Sequence, residues 1–236
     1  KLLSTADVNV CTIEDPIEMV EPLFNQMQVQ QGINLDFASG IRTLMRQDPD
    51  IIMVGEIRDL ETADMAIQAA LTGHLVLSTL HTNDAPAAVT RLLDLGVPPY
   101  LIQSTILGIM AQRLVRTLCP HCREAGDLDP QTWDMLISPW QAEKPRQIYY
   151  AKGCLECRMT GYSGRVGIYE ILLMTAGQRP MITAETDASQ IRDQAYRDGM
   201  KPLRISGALK VAAGTTTVDE VFKVAPPIGG DRRKKT

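Results

Sequence analysis

Three short apolar runs, each ending abruptly in ionisable side chains, constrain this chain more than any other feature. The clearest is Asp48-Pro49-Asp50-Ile51-Ile52-Met53-Val54-Gly55-Glu56-Ile57-Arg58-Asp59. An apolar run without alternation suits a strand buried on both faces, as in a parallel sheet covered by helices. Residues 8–13, ending in Glu14-Asp15, and residues 75–80, ending in His81, repeat the figure. Open parallel sheets bind ligands at the carboxyl ends of their strands. Three strands ending in carboxylates and a histidine therefore predict one active-site edge.

Helical patterns separate these runs. Residues 36–47 place Ile41, Leu44 and Met45 on one face, with Ser39 as a possible cap and Asp48-Pro49 as the stop. Residues 60–71 turn Ala63, Ile67, Ala70 and Leu71 inward and end before Gly73. Residues 85–95 form a third helix, and Pro98-Pro99 opens a fourth that reads through about Arg116. Residues 19–35 suit a small antiparallel excursion. Strand and helix in this rhythm imply right-handed crossovers and a parallel α/β sheet. From Cys119 to about Tyr169 the chain is loop-rich, with one short helix around Trp133, Leu136, Ile137 and Trp140 and a strand from Gly161 onward. Residues 187–200 and 203–213 read as helices, 218–224 close the fold, and the tail from Pro226 reads as disordered.

The length suits one large domain, or one domain with an appendage. No stretch approaches a membrane span, and no secretory signal is visible. The chain opens at Lys1 rather than Met and runs almost at once into a strand, which reads as a cut inside a larger protein. The formal net charge is −4, and Arg232-Arg233-Lys234-Lys235 concentrate positive charge in the tail, so the body is more acidic still. An acidic body is a poor nucleic-acid surface. For so short a basic run, keeping the end soluble is the simpler reading than contact with anionic lipid.

Four of the five cysteines form two tight pairs, Cys119-Pro120-His121-Cys122 and Cys154-Leu155-Glu156-Cys157. Each pair is a knuckle that can aim two sulfurs at one point, and two knuckles complete a tetrahedral thiolate site for structural Zn2+. His121 is then a bystander, and Cys11, inside an apolar run, a core residue. Glu56, ending its strand, resembles a Walker B position, where an acid polarises water or holds magnesium. The usual preceding Asp is Gly55 here, so metal coordination falls to Glu14, Asp15 or Glu18 on the neighbouring strand end. An acidic loop is ordinarily just a solvated loop, and a lone histidine ordinarily a hydrogen-bonded structural one. Two histidines flanking one strand, His74 and His81, weaken that ordinary reading, His81 the more so. No G-x-x-x-x-G-K-[ST] signature occurs, so nothing in these residues cradles a triphosphate.

These residues resemble the secretion ATPases of the type II secretion and type IV pilus-assembly family. Thr12-Ile13-Glu14-Asp15-Pro16-Ile17-Glu18 is similar to that family's aspartate box. The stretch from Leu44-Met45-Arg46-Gln47-Asp48-Pro49-Asp50 through Gly55-Glu56-Ile57-Arg58-Asp59 is similar to its atypical Walker B, which commonly carries Gly at the same place. Thr72-Gly73-His74-Leu75 through Ser78-Thr79-Leu80-His81-Thr82-Asn83 is similar to its histidine box, and similarity continues to Gly214-Thr215-Thr216. The resemblance implies a RecA-like P-loop NTPase core whose Walker A lies just before Lys1. Residues 1–118 would be the ATPase core, 119–170 the tetracysteine zinc subdomain, 171–225 a carboxyl-terminal helical part and 226–236 the basic tail.

It further implies ATP and Mg2+ as ligands. Glu56 would activate water, Glu18 or Glu14 would support magnesium and water, and His81 would sense the γ-phosphate. Asp15, Arg58 and His74 would line the nucleotide, with Arg58 joining the switch that reports hydrolysis to a neighbour. The resemblance implies a cytoplasmic hexamer docked on an inner-membrane platform protein, and the acidic body makes a nucleic-acid partner unexpected. The tetracysteine motif tilts the resemblance toward export or pilus extension rather than retraction. The alternative is a zinc-stapled interaction module that docks the platform and performs no chemistry.

Overall fold

The computed structural model describes residues 2–225. The expected disordered tail, 226–236, lies outside them. The chain forms two compact units, one comprising residues 1–109 and 173–195, the other 110–172 and 196–236. The expected boundaries at 118/119 and 170/171 differ from these because β5 (Gly108–Leu118) pairs with β8 (Tyr162–Leu173), so the strands on either side of the cysteine segment belong to one sheet.

The first unit carries a four-stranded parallel sheet in the order β2-β1-β3-β4. Its strands are β1 (Val10–Glu14), β2 (Asn25–Gln28), β3 (Ile51–Val54) and β4 (Leu75–Ser78). The register aligns Ile13 with Val54 and Val54 with Ser78, so the three predicted strand ends do emerge together. β1 and β3 are buried as their apolar runs require. β4 is not, and Leu75 and Leu77 remain exposed because β4 is the last strand of the sheet. The 19–35 excursion also differs from expectation. Its strand, β2, runs parallel to β1, and only the isolated bridge between Gln30 and Leu35 is antiparallel. Parallel pairing aligns Glu14 with Gln28, while Pro16 and Pro22 keep the connection from becoming a helix.

Helices α1 (Phe37–Leu44) and α2 (Leu60–Leu71) cover Cys11, Ile13, Ile52 and Val54 with Ile41, Leu44, Ala66 and Ala69. Asp36 rather than Ser39 is the cap of α1; the two close a reciprocal capping box. Asp59 caps α2 through Thr62 N–H, and Asp84 caps α3 (Ala85–Asp94) through Ala87 N–H. Leu71, expected inward, is about half exposed. The fourth helix, α4 (Pro99–Thr105), stops well short of the expected Arg116. Ile106, extended at ψ 123°, ends it, and from Gly108 burial alternates along most of the strand β5.

The second unit adds an antiparallel pair, β6 (Arg123–Gly126) and β7 (Ile148–Ala151), and α5 (Pro130–Ile137), the short helix expected from its tryptophan and leucine. After α6 (Ala188–Arg197) at the unit boundary come α7 (Leu203–Ala212) and α8 (Val218–Val224). Their core joins Val115, Trp133, Leu136, Ile148, Ile168, Val211 and Val221. The turn from α7 to α8 explains Gly214-Thr215-Thr216. Gly214 takes φ 66°, and a Cβ there would lie 2.6 Å from the Tyr149 ring. Leu118 N–H donates to Thr215 O at 2.8 Å, the Thr216 hydroxyl donates to Arg116 O at 2.7 Å, and Thr217 caps α8.

Arg116 and Glu220 tie β5 to α8. The guanidinium donates from Nε to Oε2 at 2.9 Å and from Nη2 to Oε1 at 2.6 Å, and the Arg116 N–H adds a third bond at 3.2 Å. Lys223 contributes at 2.8 Å, and Arg116 stacks 4.0 Å over the Tyr162 ring. The Arg116 fork, outweighing the opposing burial, holds the Glu220 carboxyl down at about 2. A folded-state value below the ordinary one stabilises the fold above the ordinary carboxylate range, and that stability is lost as pH falls through it toward 2. Glu220→Gln is expected to cost about 2 kcal/mol at neutral pH, allowing for the half-exposed arginine. The deficit relative to wild type should shrink on acidification below about pH 4, as denaturant midpoints at both pH values would show.

Candidate functional site

The site is assembled by the ends of three adjacent strands. Its starting point is a clamp at the other end of the sheet, where Asn9 Nδ2 donates to Gln47 O at 2.8 Å and to Asp48 O at 2.9 Å, and Asn9 N–H donates to Asp50 Oδ2 at 2.7 Å. This holds the Asp48-Pro49 turn, with Asp48 at φ 50°, and starts β3 in register with β1. At the carboxyl end, Gly55 N–H donates to Ile13 O at 2.8 Å. A Cβ on Gly55 would sit 3.3 Å from that carbonyl, 3.4 Å from the Phe37 ring and 3.5 Å from Glu14 Cα. Glycine at the usual Asp position thus lets β1 and β3 approach closely enough to bring Glu14 beside the start of the Glu56 turn.

Glu56 meets His81 directly, His81 Nε2 lying 3.1 Å from Oε2. Ile57 N–H donates to Thr79 O at 3.0 Å and the Thr79 hydroxyl donates to Gly55 O at 2.6 Å, which continues the β3–β4 pairing past the strands and fixes this meeting. Arg58 Nη2 lies 2.5 Å from Glu56 Oε1. Burial of Glu56 works against its ionisation, but the Arg58 and His81 contacts outweigh it and hold the carboxyl below its usual value. The carboxylate is largely covered, with its side chain 12% exposed, whereas Arg58 and His81 are 67% and 83% exposed. Glu56 is therefore a covered, ionised acceptor whose two partners are exposed.

Glu14 is oriented by the Thr12 hydroxyl, which donates to Oε1 at 2.6 Å, and by Gln26 Nε2, which donates to the same oxygen at 3.0 Å. Asp15 and Glu18 follow on an exposed loop. Gln26 also secures that loop through Met19 O, and its Oε1 accepts from Glu21 N–H at 2.6 Å. Glu14, Glu56, Arg58 and His81 thus gather on the carboxyl edge. His74 does not join them: it stands at the amino end of β4, its Nδ1 2.8 Å from Ala69 O and 3.0 Å from the Thr72 hydroxyl, finishing the carboxyl terminus of α2. Thr12, Gln26 and Thr79 were not singled out from sequence. Thr79, lying two residues before His81, was the one with a usable signal.

The second unit holds a different site. The Sγ atoms of Cys119, Cys122, Cys154 and Cys157 lie within 4.8 Å of one another. Cys119–Cys154, Cys122–Cys157 and Cys154–Cys157 are 3.9, 3.8 and 3.8 Å apart. A tetrahedron with Zn–S bonds of about 2.3 Å has S···S edges of about 3.8 Å, so the donor set fits one four-coordinate cation. Backbone amides support it, Gly161 N–H donating to Cys157 Sγ at 3.2 Å and Cys154 N–H at 3.3 Å. Burial pushes the Cys122 thiol up to about 12; Cys157 is buried too, yet these amides bring it down to about 6. His121 is not among the four ligand residues. Cys11 is fully buried in β1, as a core residue should be.

Parallel-sheet strand ends bearing Glu14, Glu56 and His81, together with a tetracysteine cluster, define an α/β protein with a metal-type donor set, and residues 1–223 match the Type II/IV secretion system protein family. The chain belongs to that family. It is 58% identical over 226 residues to the type IV pilus assembly ATPase TfpB of Acinetobacter baylyi, covering 96% of this chain and 39% of that protein. It is 46% identical to the type II secretion system ATPase E of Vibrio cholerae, covering 94% of this chain and 44% of that one. The chain thus spans less than half the length of these relatives. Among solved structures it resembles the pilus retraction motor PilT with bound ADP, at TM-score 0.65 and 26% identity over 97% of this chain and 56% of that one. The Legionella pneumophila ATPase DotB shares the fold at TM-score 0.64.

Purified under reducing conditions, the protein is expected to carry one metal ion per chain by elemental analysis. Cys119→Ser with Cys154→Ser should abolish it and loosen residues 119–170 in hydrogen exchange, while β1, β3 and β4 keep their protection. A stoichiometry near zero in the wild type would contradict the assignment.

Proposed function

We propose that this chain is the carboxyl-terminal part of the motor domain of an ATPase that powers type II secretion or type IV pilus extension. The observation that carries this reading is the convergence of Glu14, Glu56 and His81 on one carboxyl edge. In the full protein a P-loop segment binds the triphosphate facing this edge. The open outer side of β4, with its exposed Leu75 and Leu77, suits the further parallel strand that such a segment would bring.

ATP and Mg2+ supply the phosphoryl group and its charge neutralisation. Glu56 orients or deprotonates the attacking water. As an ionised acceptor it can take a proton only after Arg58 leaves its Oε1, and nucleotide binding supplies the competing charge that draws Arg58 away. Arg58 thereby links the nucleotide to a neighbouring subunit. Glu14, oriented by Thr12 and Gln26, would support the magnesium shell, with the exposed acids Asp15 and Glu18 on the loop that follows. His81 reports on the γ-phosphate from the other side of Glu56. His74, held by α2, acts on the site only by fixing the start of β4.

The cysteine cluster holds structural Zn2+, four thiolates leaving no open position for chemistry. The working form is a homohexamer on the cytoplasmic face of the inner membrane, docked to a platform protein. No helix among the described residues is long and apolar enough to cross a membrane. These 236 residues have no P-loop signature, which favours a second reading of the chain taken alone, a metal-stapled interaction module.

ATP turnover distinguishes the readings. The protein extended upstream through a P-loop should hydrolyse ATP, and Glu56→Gln in it should lower kcat by about a hundredfold or more with a smaller change in KM. Undiminished turnover would remove Glu56 from catalysis. No turnover in the extended wild type would leave the interaction module.

A further inference from the structure

His81 reaches Glu56 from a short irregular link, residues 79–84, between β4 and α3. Its side chain is so exposed that packing cannot place the imidazole, and the link decides where it stands. One end of the link is held to the sheet, the Thr79 hydroxyl donating to Gly55 O at 2.6 Å. The other end is Asp84. Its Oδ1 accepts from Ala87 N–H at 2.9 Å, which caps α3, and its backbone carbonyl accepts from the Thr82 hydroxyl at 3.2 Å. The second carboxylate oxygen, Oδ2, accepts from Arg192 Nη2 at 2.7 Å.

Capping alone does not call for this carboxylate. Asn, Ser or Thr serves a first helical turn comparably, and it is the second oxygen that suits a cationic partner. Arg192 belongs to α6, far along the chain but within the same compact unit as Asp84. Ile191 and Ala195 of that helix are fully buried. The segment leading into it is fastened to α4, Gln103 Nε2 donating to Ile182 O at 2.7 Å and Arg179 Nη1 donating to Gln103 O. Arg192 thus projects from an anchored helix. Both members of the pair are 28% exposed, so the pair is screened less than one on the open surface.

We propose that Arg192 is a positioning residue for His81. Through Asp84 it holds the far end of the link and keeps the imidazole on Glu56. Its effect on turnover rests on the hydrolytic reading of the Glu56–His81 edge; its effect on the imidazole does not.

Imidazole NMR of the 236-residue protein tests the placement without any turnover. The chain has three histidines, His81→Ala identifies the His81 signals, and Glu56→Gln shows how far they move when the ionised acceptor is removed. Arg192→Met should shift the His81 signals to a comparable extent and leave those of His74 in place. Arg192→Lys, which keeps a cationic donor for Asp84, should restore them. Unmoved His81 signals in Arg192→Met would overturn the role. If that variant fails to fold, Asp84→Asn, which keeps an oxygen for the cap, makes the same comparison. In the protein extended through a P-loop, Arg192→Met should lower kcat about tenfold with KM within about twofold, and should add nothing once His81 is Ala. A pair that merely fastens α6 to α3 would lower the melting midpoint and leave kcat unchanged, a result that overturns the proposal. If His81→Ala itself leaves turnover intact, the hydrolytic reading of His81 fails, and the spectra alone decide whether Arg192 holds the imidazole.

Discussion

The parallel register of β1, β3 and β4 is the constraint on which the candidate catalytic edge depends. Pairing of Ile13 with Val54 and of Val54 with Ser78 brings Glu14, Glu56 and His81 out at one level. A slip of one residue would turn every side chain of a strand to the opposite face. Two devices protect the register. Asn9 fastens the Asp48-Pro49 turn before β3, and the Thr79 hydroxyl fastens Gly55 after it. Gly55 permits what both enforce, since a side chain there would press on the backbone of β1.

Within that frame the electrostatics of Glu56 are a contest. Burial alone would favour the protonated acid, while Arg58 and His81 favour the carboxylate and win. The winning partners are exposed and the carboxylate is not. Ion pairs to side chains exposed in this way are worth little individually. The edge therefore has one covered carboxylate and two exposed partners.

Apolar runs with charged ends were legible as strands because burial on both faces leaves no other economical solution, and β1 and β3 follow the rule. β4 has the same composition but is the sheet's last strand, a fact set by topology rather than by its own residues. The helix expected to run to Arg116 ended at Thr105, and beyond it intermittent apolar residues fit both periods and pairing with β8 decided for strand. The cysteine pairs were legible because their chemistry needs few residues at fixed spacing. The sequence already set His74 and His81 on opposite flanks of one strand and favoured His81; the structure adds their partners, the end of α2 for His74 and Glu56 for His81. Arg192 was illegible because its partner, Asp84, stands 108 residues away in the chain.

The central claim, that Glu56 is the covered acid of a hydrolytic edge completed by a P-loop outside these residues, is tested most directly by a structure of the extended protein with Mg2+ and a non-hydrolysable ATP analogue. The account predicts Arg58 withdrawn from Glu56, the carboxylate within hydrogen-bonding reach of a water in line with the γ-phosphate, and Glu14 on the magnesium side. A γ-phosphate seated against this edge while Arg58 and His81 still occupy both Glu56 oxygens, or a nucleotide bound away from the edge, would contradict it.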